Sequence, residues 1–168
     1  WFLSETRYGA IVHARLGIAE ENSGKLVTLV RQEAEKFAKA HHEELIITDG
    51  PPGVGCPVIA SVGGASALLI VTEPTVSGVH DMRRLLELAK HFHVPGMLCI
   101  NKFDLNQDTT RSVESLAREK NIPIVGKIPF DRRFTTSMVH GKTIIEYNPN
   151  GQLRLTLDQL WNRIRQLL

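Results

Sequence analysis

Cysteine is scarce in this sequence, and long hydrophobic runs are missing. The two cysteines, Cys56 and Cys99, form no Cys-x-x-Cys pair, which argues against a disulfide framework or a cysteine-based zinc site within the chain. The longest apolar runs, such as Ala67–Val71, fall far short of the roughly 20 residues of a membrane span, so membrane association is not expected. With 20 Lys and Arg against 18 Asp and Glu there is no basic excess, and no nucleic-acid partner is expected.

The chain does contain enough apolar residues for one folded core. Hydrophobic residues make up 42% of the 168 residues, which fits a single domain. No secretory signal is recognisable, and we expect a cytoplasmic location. The chain begins at Trp1, without a methionine, in what reads as the middle of a strand. We therefore expect it to be a fragment of a longer protein.

Short apolar runs alternate with helix-length segments along the chain. The runs are nearly continuous in apolar character, which is typical of parallel strands covered on both faces. We predict four strands, Leu45–Asp49, Ala67–Thr72, Gly96–Asn101 and Ile122–Ile128. Apolar spacings of three and four predict four helices, Lys25–His41, Val79–Phe92, Thr110–Lys120 and Leu153–Leu168. This order predicts an α/β fold with a mostly parallel sheet and helices on both faces. The first nineteen residues are harder to interpret, and within them Trp1–Thr6 and Ala10–Leu16 are either two short strands or a loop.

An acidic residue, Asp49, ends the first predicted strand. The charge of a carboxylate is costly to desolvate there unless a cation or hydrogen-bond donors face it. A stiff loop follows, made of Gly50, Pro51, Pro52 and Gly53. This combination suits a magnesium–phosphate site, in which Asp49 holds Mg²⁺ directly or through water and the loop backbone approaches a terminal phosphate. The alternative is a tight turn in which Asp49 caps a helix near Pro57.

Polar residues also follow the third and fourth predicted strands. Asn101 and Asp104, in the sequence Asn-Lys-Phe-Asp, can hydrogen-bond the edge of a purine, although a plain turn explains the pattern as well. After the fourth strand come Pro129 and Asp131, which either contact a base or begin a helix, with Asp131 capping Arg132–Val139. Because ligands of parallel sheets bind at the carboxyl ends of the strands, we expect a nucleotide-base site here.

No phosphate-binding loop of the form GxxxxGK[ST] is present. The chain has three Gly-Lys pairs, Gly24-Lys25, Gly126-Lys127 and Gly141-Lys142, and none has the required neighbours. The chain therefore has the residues of a magnesium switch and of base recognition without the usual phosphate cradle.

Taken together, these motifs resemble the MinD/ParA/Mrp branch of P-loop ATPases, and most closely the MinD-superfamily ATPases with an inserted ferredoxin domain. The Asp-Gly-Pro-Pro-Gly element is the most specific motif. The matching stretches cover nearly the whole chain in the right order: Thr6–Gly9, Val12–Ala14, Glu20–Val27, Asp49–Val58, Thr72–Thr75, Asn101–Asp104 and Gly126–Asp131.

The resemblance implies a role for several of these residues. It makes Asp49 the switch carboxylate near Mg²⁺ and Gly53 the glycine close to the γ-phosphate. It implies that Asn101 reads adenine and that the backbone around Pro129 and Asp131 lines the base pocket, with Asp104 in the same base-reading motif. ATPases of this kind usually work as homodimers with ATP between the subunits.

The resemblance also implies what the whole protein does. Residues 1–168 would be the C-terminal part of a CobQ/MinD/ParA-type nucleotide-binding domain without its phosphate-loop strand. That loop, and the cysteines of a 4Fe-4S cluster, would lie upstream of Trp1. The full protein would couple ATP hydrolysis to maturation of an iron–sulfur or redox client, and this chain alone would be inactive.

Three alternatives stay open. The Asn101–Asp104 pattern also fits guanine recognition by a GTPase, although Pro52 stands where the DxxG switch motif has glycine. The last helix, with Arg154, Arg163 and Arg165 beside its apolar face, could instead bind a membrane or a partner, but packing on the sheet is favoured. Cys56 is interpreted as a small buried residue at a helix start, with a partner-facing or cluster-handling thiol as the alternative.

Overall fold

The structure, a computed structural model, describes residues 1–16 and 24–168, so the Glu20–Ser23 part of the resemblance lies outside the described residues. The described residues form two units, Trp1–Ala65 and Ser66–Leu168. The first unit contains strands β1 (Phe2–Thr6) and β2 (Gly9–His13) and helices α1 (Gly24–His41) and α2 (Cys56–Val62). The second contains β3 (Leu68–Thr72), α3 (Val76–His91), β4 (Gly96–Asn101), α4 (Gln107–Glu119), β5 (Ile124–Ile128), α5 (Arg133–Val139), α6 (Ile144–Tyr147) and α7 (Gln152–Leu167).

An antiparallel hairpin opens the first unit. In its register Phe2 lies opposite His13, and the Ser4 hydroxyl is 2.9 Å from His13 Nε2. The chain reverses at Arg7 and Tyr8, and Gly9, which opens β2, has a φ of +124°, a conformation that glycine adopts without strain. Of the two possibilities left open by the sequence, the paired strands are therefore correct.

Helix α1 holds α2 through one arginine. Arg31 donates to the carbonyl oxygen of Ala60 at 2.8 Å and also to that of Gly63. The last carbonyls of a helix have no partner within the helix, and here a half-buried guanidinium supplies one. The predicted helix Lys25–His41 is confirmed, with its start one residue earlier.

The predicted strand Leu45–Asp49 is wrong. No residue of this segment belongs to a ladder or a helix, and Leu45, Ile46 and Ile47 are exposed. Among the described residues it makes no backbone hydrogen bond. A strand needs a neighbour for its backbone groups, and within its own unit this apolar run has none.

The second unit is built on a parallel sheet in the order β3-β4-β5. The register pairs Leu68 with Gly96 at one end and Asn101 with Ile128 at the other. The predicted strand Gly96–Asn101 is confirmed at both ends, while the predicted strands on either side are one and two residues longer than β3 and β5. β3 is an edge strand of this sheet, and Val71 on it is 58% exposed.

Helices cover both faces of this sheet, as predicted. On one face α3 and α4 enclose a core formed with β3 and β4, whose buried members are Ile70, Met82, Leu86, Leu98, Ile100, Val113, Leu116 and Ala117. On the other face α7 packs Leu160 and Ile164 against Met97, Cys99 and Val125. The favoured interpretation of the last helix, packing on the sheet, is thereby confirmed. In the described part of the chain, no helix is both long and apolar enough to cross a bilayer.

Candidate functional site

The loop that begins at Asp49 lies in the first unit. Asp49 is exposed, and its carboxylate makes no hydrogen bond or ion pair to another described residue. The strand that was expected to present it is absent, so the burial argument for this residue fails. The alternative role, capping a helix near Pro57, also fails. Helix α2 begins at Cys56, its N-cap residue is Gly55, and no side chain among the described residues caps its first amides. Asp49 therefore caps no helix among the described residues, and its carboxylate is open to a ligand there.

Gly53 gives this loop its conformation. Its φ is +90°, which L side chains rarely adopt, and a Cβ built there meets no atom within 4 Å. The loop backbone is thus open to close approach by another group at this point. An unpartnered carboxylate beside such a loop fits hydrated Mg²⁺ bound to phosphate, since hard cations prefer oxygen ligands. Among the described residues, no group of three or more His, Cys, Asp or Glu side chains could hold a metal ion by itself. Mg²⁺ at this loop would therefore also need phosphate oxygens as ligands.

The cysteines do not fit an iron–sulfur cluster. Cys56 is exposed, so the expectation of a buried residue is wrong, although it does stand at a helix start. It lines an open cavity of about 560 Å³ between α1 and α2, together with Lys25 and Ile59. Cys99 is in the core, as predicted, and burial raises the pKa of its thiol to about 11. A 4Fe-4S cluster requires four accessible thiolates, which this chain does not offer.

The loop after β4 is fastened at several points in the second unit. Lys102 has a φ of +52°, unusual for a residue with a side chain, and its Nζ lies 2.7 Å from Glu73 Oε1 in the loop after β3. The Phe103 amide donates to the carbonyl of Ile128 at 3.2 Å, and the Thr110 hydroxyl donates to the Phe103 carbonyl at 2.7 Å. These bonds hold the backbone in a conformation that it would not adopt alone.

The loop after β5 is fastened to the loop after β4. The Phe130 amide donates to Asp104 Oδ1 at 2.7 Å. Asp131 accepts from the Arg133 backbone amide at 2.8 Å and from Arg133 Nε at 2.9 Å. The hydrogen bonds from Arg133 lower the pKa of Asp131 to about 2. Asp131 therefore accepts from the first amide of α5, which begins at Arg133, one residue later than predicted, with Arg132 and not Asp131 as its N-cap residue. The contact of Asp131 with a base stays a prediction.

Two polar groups at this edge have no partner among the residues that the structure describes. Asn101 pairs in register with Ile128, the last residue of β5, and Pro129 follows directly. Within the described part of the chain, neither the Asn101 side-chain amide nor the Pro129 carbonyl oxygen makes a hydrogen bond. An amide and a carbonyl can together offer donors and acceptors to a planar, nitrogen-rich ring.

The sequence reasoning missed two residues that shape this edge. Glu73 had no assigned chemistry, and it is the ion-pair partner of Lys102. Arg133 was not considered, and it holds both oxygens of Asp131. The only sequence signal for Glu73 is a charged residue just after a strand, which is weak. Arg133 could have been found more easily, because an arginine two residues after Asp131 is a local charge pair that is visible in the sequence.

Two relatives in Methanocaldococcus jannaschii match most of the chain. The uncharacterized protein MJ0578 is 31% identical over 160 residues, which are 94% of this chain and 51% of that protein. The uncharacterized ATP-binding protein MJ0547 is 22% identical over 122 residues, 71% of this chain and 46% of that protein. The chain thus spans about half the length of the curated relatives it matches. No protein-family profile matches it.

Solved structures of two ATPase types are similar in fold. The MinD cell division protein of Aquifex aeolicus superposes with a TM-score of 0.72 at 17% identity, covering 98% of this chain and 68% of MinD. A ParA family ATPase from Chlorobium tepidum gives a TM-score of 0.63 at 20% identity, covering 85% of this chain and 57% of the other. The chain has the α/β fold of the MinD/ParA type of P-loop ATPases.

Proposed function

We propose that this chain is the nucleotide-binding part of a MinD/ParA-type ATPase, a hydrolase of ATP. The observation that carries the proposal is the edge of the second unit, where Asn101, at the carboxyl end of β4, pairs in register with Ile128, the residue before Pro129, and its side-chain amide has no partner among the described residues. Ligands of open parallel sheets bind at such ends, and a ParA family ATPase is similar to this chain in fold. The name of MJ0547, an ATP-binding protein, agrees with the proposal.

For the loop at Asp49, taken by itself within the first unit, the resemblance supports a separate role in binding Mg²⁺ and a terminal phosphate. Its unpartnered carboxylate would hold Mg²⁺ through water, and the Gly53 backbone, which is open on its free side, would face the γ-phosphate. Gly50, Pro51 and Pro52 would keep this loop stiff. When bound, Mg²⁺ offsets the negative charge that develops during attack of water on the γ-phosphate. Catalysis of this type depends mainly on position and electrostatics, so small displacements of the loop should matter.

The experiment compares Asp49→Asn with Asp158→Asn in the intact protein that contains this chain. Asp158 is an exposed residue of α7 that pairs with Arg154 at 3.5 Å, so its substitution removes the same charge elsewhere. We expect Asp49→Asn to lower the rate of Mg²⁺-dependent ATP hydrolysis at least tenfold and Asp158→Asn to leave it unchanged. Unchanged hydrolysis in Asp49→Asn would refute the role of Asp49.

The rest of the proposal concerns the whole protein, and the resemblance alone supports it. Residues 1–168 would be the C-terminal part of the nucleotide-binding domain, with the phosphate loop upstream and the chain inactive by itself. The protein would act in the cytoplasm as a homodimer with ATP between subunits, and would serve an iron–sulfur or redox client. Any 4Fe-4S cluster would come from a segment other than this chain. Light scattering of the intact protein with ATP and Mg²⁺, and with Mg²⁺ alone, tests the dimer.

GTP is the competing substrate, because Asn101–Asp104 also matches a guanine-reading pattern. Displacement of a bound fluorescent ATP analogue by ATP and by GTP decides between the two. If GTP displaced the analogue more strongly than ATP, the proposed function would be a GTPase and not an ATPase. A non-catalytic partner- or membrane-binding module is the third function, and binding of the intact protein to anionic liposomes in the absence of any nucleotide binding would favour it.

A further inference from the structure

We propose that Asp104 is a positioning residue, which selects the base by orienting the Pro129 carbonyl and does not itself contact the base. The inference rests on the proposed function, because it concerns how the same site would distinguish purines. It begins with the 2.7 Å hydrogen bond from the Phe130 amide to Asp104 Oδ1. This bond joins the loop after β4 to the loop after β5, and both loops border the free amide of Asn101.

The bond acts on Pro129 through the peptide plane. The Phe130 nitrogen and the Pro129 carbonyl belong to the same peptide bond, which is trans and planar. In a trans peptide the N–H and the C=O point in opposite directions. By holding the Phe130 amide, Asp104 therefore directs the Pro129 oxygen away from itself, towards the opposite edge of the same peptide plane. A carboxylate acceptor makes this a strong, charge-assisted bond.

The oriented oxygen distinguishes purines by the group at carbon 6. A carbonyl oxygen only accepts hydrogen bonds, so it attracts the 6-amino group of adenine and repels the 6-oxo group of guanine or hypoxanthine. Guanine recognition by a carboxylate, in contrast, uses its oxygens to accept from N1–H and the 2-amino group. In Asp104 one of those oxygens already accepts from Phe130. The arrangement thus favours 6-aminopurines.

The other residues of the loop after β4 support this assignment. Each of them has a partner within the second unit, and only the side chain of Asn101 has none among the described residues. Lys102 is paired with Glu73, and Phe103 is bonded through both its amide and its carbonyl. Lys127 lies 5.2 Å from the centre of the Phe103 ring and pairs with Glu114 at 2.9 Å. Asn101 alone in this motif has a side chain without a partner among the described residues.

The test measures binding of ATP and of inosine triphosphate to the intact protein. The two nucleotides differ only in the base: at carbon 6, ATP has an amino group and inosine triphosphate has an oxo group. Three variants are compared: Asp104→Ala, Asp104→Asn and the matched control Asp108→Ala. Asp108 is an exposed aspartate of α4 that pairs with Arg111 and lies outside the loop. An asparagine can still accept from the Phe130 amide through its side-chain oxygen.

We expect wild type, Asp104→Asn and Asp108→Ala to prefer ATP about tenfold, the size of one hydrogen bond, and Asp104→Ala to lose that preference. Amide hydrogen exchange gives a second readout: Phe130 should be protected in all but Asp104→Ala. An unchanged ATP preference in Asp104→Ala would overturn the inference. So would a preference of wild type for GTP over inosine triphosphate that Asp104→Asn abolishes, because Asp104 would then read the 2-amino group. Failure of wild type to bind any of these nucleotides would instead refute the proposed function, and the exchange of Phe130 would then decide whether Asp104 holds the loop.

Discussion

Two apolar runs of similar composition have opposite structures in this chain. Leu45–Thr48, in the first unit, is exposed and unpaired, whereas Met97–Ile100, in the second, forms the central strand β4 and is buried throughout. The second run has a parallel neighbour on each side and helices on both faces. The difference shows that such a run becomes a strand only when its hydrogen-bonding partners are within reach.

The two candidate loops differ in the same way. The loop at Asp49 follows the unpaired run, and the Asp49 side chain has no bond to another described residue. The loop at Asn101 follows β4 and is fastened by Glu73, Thr110 and Phe130. The loops proposed to bind the base are therefore preorganised by contacts within the second unit, whereas no such contact to a described residue holds the Asp49 side chain.

The largest expected contrast comes from the same substitution in the two runs. Leu98 is 1% exposed and Leu45 is 46% exposed. Leu98→Ala should lower the free energy of unfolding by about 2–5 kcal/mol, through lost burial and a cavity. Leu45→Ala should change it by less than about 0.5 kcal/mol. Urea unfolding followed by circular dichroism measures both, and a similar loss for the two variants would mean that the first run is buried in solution.

A glycine pair gives the second contrast. A Cβ at Gly78, in the first turn of α3, would overlap the carbonyl oxygen of Glu73 and lie 3.0 Å from Thr72 Oγ1. A Cβ at Gly50 meets nothing within 4 Å. We expect Gly78→Ala to cost about 1–3 kcal/mol and Gly50→Ala to cost almost nothing. Thermal unfolding of the two variants provides the measurement, and equal melting temperatures would contradict the close packing after β3.

Gly53→Ala tests the backbone of the loop at Asp49 without a change of contacts. Its φ of +90° is unfavourable for alanine, while the space around it is open. The substitution should therefore destabilise the first unit by about 1 kcal/mol, with Gly50→Ala as its control. Hydrogen exchange of α2 amides reports this local change. Equal exchange in the two variants would show that the loop does not hold this conformation.

The smallest effect concerns the acid range. The hydrogen bonds from Arg133 lower the pKa of Asp131 to about 2, below its ordinary value of about 3.9. The pairing therefore stabilises the fold above pH 4, and this contribution is lost as the pH falls towards 2. In Arg133→Gln the pKa should rise towards its ordinary value and the loss should shrink. NMR titration of the Asp131 carboxyl group measures this pKa, with Arg132→Gln as the matched control. If Asp131 titrated identically in Arg133→Gln and in Arg132→Gln, the pairing with Arg133 would be refuted.

The sequence predicted the second unit better than the first. In β3, β4 and β5 the apolar runs and their helices agree with the structure because each strand's neighbours are close along the chain. The starts of helices were less predictable: a helix was predicted from Val79, whereas α3 begins at Val76 and is capped by Thr75, whose hydroxyl accepts from the Gly78 amide at 3.0 Å. The apolar spacing does not show the first turn of this helix, because Ser77 and Gly78 there are not apolar.

The candidate site was predictable as a set of residues but not as a set of contacts. Asn101 and Pro129 were singled out; the structure pairs Asn101 with Ile128, the residue before Pro129, and their contact with a base stays a prediction. Asp104 was expected to bind a ligand, yet it also binds Phe130, and no sequence pattern shows an amide 26 residues away. Asp49 was expected at a strand end, which required a partner strand that its own unit does not provide.

The unpaired run has a consequence for the handling of this protein. Leu45, Ile46, Ile47 and Thr48 form an uncharged, β-prone stretch between Glu44 and Asp49. Charges that flank such a stretch act as gatekeepers against intermolecular stacking. Asp49→Asn removes one of these two flanking charges and so favours aggregation. A lower rate of ATP hydrolysis in this variant is therefore evidence for the role of Asp49 only when the sample is monodisperse.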